Sequence, residues 1–110
     1  MAQFECTFPS AYSFDDILQY FHAHLTKNHG EYTGGSDYVS GRVRVAVRVY
    51  ERYSWSGGNR VSMNLTLVGR GRELFLSAIT SGGSQAMFFK INTWGEEAFL
   101  DTLRQVLDSM

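Results

Sequence analysis

A chain of 110 residues can build one hydrophobic core and not two, and with 44% hydrophobic and 19% charged residues its composition is that of a globular domain, not of a disordered chain. A net charge of −1 and a single cysteine, Cys6, exclude an overall polycation, an internal disulfide and a cysteine zinc cluster within one chain. No basic leader opens the sequence and no apolar run approaches the ~18 residues of a spanning helix, so a single cytoplasmic domain, 1–110, away from membranes is expected.

Cys6 and the phenylalanines at 4 and 8 alternate with Glu5 and Thr7, the period of a half-buried strand, which Pro9 stops. Ser13 followed by Asp16 is a weak capping box, so a helix is expected from Phe14. Phe14, Ile17, Leu18, Phe21 and Leu25 share about 80° of arc on that helix, with Gly30 as its stop. From Glu31 to Gly41, with Gly34 and Gly35, the pattern is a loop or an irregular edge strand.

Two alternating strands follow. Val43, Val45, Val47 and Val49 alternate with Arg42, Arg44, Ala46 and Arg48, and Val61, Met63, Leu65 and Leu67 alternate with Arg60, Ser62, Asn64 and Thr66. If both apolar sets face one core, paired numbers must sum to an even value, which demands a three- or five-residue loop or a bulge near Gly57-Gly58. Past the turn Gly69-Arg70-Gly71-Arg72, the strand Glu73–Thr80 is apolar on both faces, as is Ala86–Ile91. Thr93 and Glu96 cap a final helix with the stripe Phe99, Leu103, Val106, Leu107 and Met110.

The expected architecture is therefore α+β, a curved antiparallel sheet of about five strands with two helices on one face, in the order β-α-β-β-β-β-α. That order resembles one half of the TATA-binding-protein fold and a shortened helix-grip domain, a likeness of shape and not of function.

Arg48-Val-Tyr-Glu-Arg-Tyr-Ser-Trp-Ser-Gly-Gly-Asn-Arg-Val-Ser-Met-Asn-Leu65 and Ser77-Ala-Ile-Thr-Ser-Gly-Gly-Ser-Gln-Ala-Met-Phe-Phe-Lys-Ile-Asn-Thr-Trp-Gly-Glu-Glu-Ala-Phe-Leu100 resemble a family of small uncharacterised bacterial proteins, mainly of Gram-positive bacteria. The resemblance covers about half the chain and implies a stand-alone domain with no assigned activity, ligand or catalytic residue.

Charge is unevenly placed. Seven arginines between 42 and 72 against Glu51 alone give +6, leaving −7 for the rest. Arg42, Arg44, Arg48, Arg52 and Arg60, with Tyr50 among them, are expected on the polar sheet face as an anion face, although a self-paired, solvated face accounts for them with less. Nucleic-acid binding ranks low, since stacking aromatics are sparse there and lysines few. Ser81, Ser84 and Gln85 in the Ser-Gly-Gly-Ser-Gln loop are a candidate polar site, yet no helix and no Lys-Ser or Lys-Thr pair follows, so a turn suffices. His22 and His24 point about 160° apart on a helix and His29 stands two turns from His22, so no metal site is assembled, and no cofactor is implied. Cys6 alternates with inward apolar residues and behaves as core filler. Asp15-Asp16 and Glu96-Glu97 suit the first turns of helices and need no catalytic role.

Two surfaces remain. Phe75, Ile79 and Phe88 would lie on a face left without a helix, so a two-fold homodimer with sheets joined like the TATA-binding-protein saddle is the leading expectation. A small-molecule pocket for an apolar ligand, between the first helix and the sheet near Phe21, Leu25, Val47, Glu51 and Met63, is the alternative. No base, nucleophile and ligand set can be assembled from these residues, so an enzyme ranks last.

Overall fold

The computed structural model describes residues 2–8, 12–27, 30–54, 59–82, 105 and 108. Their elements are strand β1 (Ala2–Phe8), helix α1 (Phe14–Lys27) and strands β2 (Glu31–Ser40), β3 (Val43–Ser54), β4 (Asn59–Arg70) and β5 (Glu73–Gly82). All five strands form one antiparallel sheet in the order β1-β5-β4-β3-β2. The topology is a meander from β2 to β5 that meets β1 at its far edge. Helix α1 carries the chain from the β1 edge to the β2 edge, across one face of the sheet.

Local chemistry sets the ends of α1. The Ser13 hydroxyl accepts the Asp16 N–H at 3.1 Å and the Ser13 carbonyl accepts that of Ile17 at 3.1 Å. Asp15 and Asp16 sit in the first turn and Lys27 in the last, each charge matching the helix dipole. At the other end Gly30 N–H donates to the Leu25 carbonyl at 2.8 Å, the six-to-one bond of a Schellman stop. Between them Ile17, Phe21 and Leu25 are fully buried, one residue per turn along a single stripe.

Two matching turns order the sheet. Gly41-Arg42 joins the paired Ser40 and Val43, and Gly71-Arg72 joins the paired Arg70 and Glu73. Both glycines have positive φ, 56° and 61°, the geometry of the primed two-residue hairpins that match strand twist.

The core lies between α1 and the sheet. Ala46 and Tyr50 of β3, Val61, Met63, Leu65 and Leu67 of β4, and Leu74, Leu76, Ala78 and Thr80 of β5 are buried. Cys6, Phe8, Tyr12, Phe14 and Leu18 pack around them.

This arrangement corrects the sequence expectation for β3. Even-numbered residues of β3 pair with odd-numbered residues of β4: Ala46 with Leu67, Arg48 with Leu65, Tyr50 with Met63. The valines at 43, 45, 47 and 49 therefore lie on the face opposite Met63 and Leu65. The last pair is Ser54 with Asn59, an even-length connection instead of the odd one required for a shared face. The core face of β3 takes Ala46, Tyr50 and the stems of Arg44 and Arg48, whose charged ends reach carboxylates at the rim.

The expected loop or edge strand at Glu31–Gly41 is the edge strand β2, with a bulge between Tyr32 and Gly34. Among the described residues α1 is the one helix element, so the expectation of two helices on one face is not supported. The expected strand Ala86–Ile91 lies outside the described residues. So does the expected second helix, apart from Gln105 and Asp108, which have helical backbone and exposed side chains.

Candidate functional site

Strand pairing sorts the face opposite α1 into rows. Tyr38, Val45, Val68 and Phe75 stand side by side across β2, β3, β4 and β5 and end on Thr7 of β1. The next row is Ser36, Val47, Thr66, Ser77 and Glu5, and the next is Gly34, Val49, Asn64, Ile79 and Gln3. An apolar belt thus crosses the sheet near its Gly41 and Gly71 turns and continues down β3. Tyr38 is 64% exposed, Phe75 37% and Ile79 38%, while Val43, Val45, Val47, Val49 and Val68 are half-buried by their neighbours. Among the described elements only α1 stands off the sheet plane, and it packs on the other face.

Several polar side chains of this open face bond one another. Arg60 bonds Glu31 at 2.9 Å and Glu51 at 3.3 Å and lies over the Tyr53 ring at 5.2 Å. The Thr66 hydroxyl donates to the Asn64 side-chain oxygen at 3.0 Å, and the Ser62 and Ser81 hydroxyls are 3.3 Å apart. A cavity of about 540 Å³ opens where the belt reaches the β1 edge, with Thr7, Val68 and Phe75 in its wall.

The sequence-predicted sites are redistributed by this register. Arg44, Arg48 and Arg52 lie on the core face with Tyr50, Arg60 lies on the open face, and Arg42 is in a turn, so the five do not form one anion face. Arg44 bonds Asp15 at 2.8 Å and Arg48 bonds Asp37 at 3.0 Å, and each pair neutralises itself. Of the proposed pocket, Phe21, Leu25 and Met63 are fully buried in the core, whereas Val47 and Glu51 project from the opposite side of the sheet. Those five line no common cavity. Ser81 is the penultimate residue of β5, while Ser84, Gln85 and Phe88 lie outside the described residues, as does His29. Phe75 and Ile79 share the open face. Among the described residues no three His, Cys, Asp or Glu side chains could hold a metal ion. Cys6 is half-buried, and burial raises its thiol pKa above the ordinary value.

A cluster that sequence spacing does not reveal joins α1 to the β2 edge. His22, Tyr32 and Tyr50 pack ring on ring with centroids 5.5–5.8 Å apart. The Tyr50 hydroxyl and His22 Nδ1 share a hydrogen bond of 2.9 Å. Burial pushes the Tyr50 phenol up to about 12; nearby Tyr32 adds to this and the Arg48 charge opposes it. The folded state thus holds Tyr50 neutral more strongly than the unfolded chain does. Its contribution is complete below the ordinary tyrosine value near 10 and is lost as pH rises from about 10 through about 12. Urea midpoints of the native protein should fall across that window, while Tyr50→Phe, about 1 kcal/mol weaker at neutral pH for want of the His22 bond, should show a flatter decline.

Among the described residues no helix is long and apolar enough to cross a membrane. No curated protein and no solved structure matches the chain. A family model matches residues 1–110, and by it the chain belongs to DUF6054, a family of unknown function.

Proposed function

We propose that this chain is an association domain whose open sheet face pairs with the same face of a second copy. The observation that carries this reading is the belt Tyr38–Val45–Val68–Phe75, apolar from β2 to β5 on a face over which no described element packs. Five strands at about 4.8 Å spacing and about ten residues at about 3.3 Å each give a face of roughly 800 Å². That is about the share each partner contributes to a standard-size interface. Joining two sheets edge to edge, as in the TATA-binding-protein saddle, would leave the belt in water. Stacking the faces covers it, and a two-fold axis along the strands sets belt on belt. The single thiol, Cys6, supports a reducing cytoplasm as the setting.

Sedimentation velocity and native mass spectrometry at micromolar concentration should report a dimer. Phe75→Glu or Val45→Asp should weaken it roughly a hundredfold, because each sets a charge in the middle of a desolvated patch. Both substitutions are on the face away from the core, so the circular dichroism spectrum should be kept. A native protein that stays monomeric at high micromolar concentration, or variants that dimerise as the native chain does, would refute the reading.

A further inference from the structure

The register that breaks up the expected anion face builds a different basic site, at the end of the sheet where the two glycine turns lie together. Gly71 N–H donates to the Arg42 carbonyl at 3.3 Å, tying the β4–β5 turn to the β2–β3 turn. The Arg42 guanidinium crosses Gly71 so closely that a Cβ there would meet its terminal nitrogen at 2.7 Å. Helix α1 starts above them. The Phe14 ring rests on Gly69, where a Cβ would stand 2.8 Å from Cδ2, and Arg44 lies over the same ring at 4.2 Å.

These contacts border an open cleft of about 320 Å³ whose wall holds Tyr12, Phe14, Leu74 and the three arginines Arg42, Arg44 and Arg72. No carboxylate is among its described lining residues. Arg44 is bonded to Asp15, but Arg42 and Arg72 make no ion pair among the described residues, unlike Arg48 and Arg60. In a chain with net charge −1, two arginines left unpaired beside a third, around a concave space, are a local excess of positive charge with a shape.

We infer that this cleft binds a small phosphate monoester, with the phosphate held between Arg42 and Arg72 and the organic group against Tyr12, Phe14 and Leu74. Guanidinium forks match phosphate oxygens in pairs, and a dianion balances two unpaired cations where a carboxylate would leave one. The volume is at the lower end of small-ligand sites, and the apolar wall suits a compact, flat organic group. The acid-paired arginines elsewhere provide no continuous basic track of the kind a nucleic-acid strand follows. The inference does not depend on the pairing of sheet faces.

Calorimetric titration of the native chain with phenyl phosphate, inorganic phosphate and benzoate tests it. Phenyl phosphate should bind best, inorganic phosphate more weakly and benzoate weakest. Arg42→Ala or Arg72→Ala should each raise the phenyl phosphate dissociation constant roughly tenfold, as loss of a charge-assisted pair does, and the double variant should abolish binding. Arg60→Ala should bind as the native chain does. Both arginines are on exposed turns, so thermal unfolding of the double variant should match the native protein. No heat at millimolar ligand, benzoate binding as tight as phenyl phosphate, or unchanged binding by the folded double variant would each overturn the inference.

Discussion

Phe21→Ala should lower the free energy of unfolding by about 3–5 kcal/mol, a large part of the roughly 5–15 kcal/mol that holds a small domain folded. Phe21 is fully buried at the middle of the α1 stripe, flanked by Ile17 and Leu25, with the Phe8 ring 6.3 Å away across the layer. Strand pairing on the sheet side keeps the backbone from closing the space, so lost transfer energy and cavity cost add. Tyr20, its neighbour in sequence, is 38% exposed, and Tyr20→Ala should cost less than about 1 kcal/mol. Urea unfolding of both variants measures the difference, with the slope unchanged and only the midpoint moved. Equal losses would mean that α1 docks by a different stripe.

The helix was the most legible element because its signals are local. A cap at Ser13, a stripe of period 3.6 and a stop at Gly30 all lie within one segment, and all appear in the structure. Strand β2 was half legible. Its Gly34 and Gly35 resemble a loop, yet the backbone pairs along β3 through a bulge, because an edge strand needs only one partner.

The valines of β3 show what alternation leaves undetermined. Period two tells which residues share a face and not which face the core occupies; that choice rests on the length parity of the connection between Ser54 and Asn59. Hydrophobicity favours valine inward. The core prefers Ala46 and Tyr50 because α1 and β4 already fill it, and arginine stems cover the remainder. The partners that make this tolerable are remote in sequence: Asp15 is 29 residues from Arg44 and Asp37 is 11 from Arg48. For the same reason the pairing of Arg42 with Arg72 around one cleft could not be read from spacing. It requires two separate hairpin turns to be set beside each other by the register of β3 on β4.

Leu65→Lys should leave the chain largely unfolded, whereas Val47→Lys, on the adjacent strand, should cost no more than about 1 kcal/mol. Leu65 is 1% exposed and pairs with Arg48 on the core face. A lysine there would bring a second cation beside a guanidinium whose carboxylate partner, Asp37, is already engaged. An uncompensated buried charge of that kind costs several kcal/mol, about the whole stability of a small domain. Val47 pairs with Thr66 on the open face, where a lysine stem can lie along the valines and keep its ammonium in water. Had the valines faced the core, Val47→Lys would be the ruinous change. Thermal unfolding of the two variants therefore reads the register directly. Because Val47 adjoins the belt, its lysine variant should also remain folded while losing the dimer, separating the energy that folds the chain from the energy that pairs it.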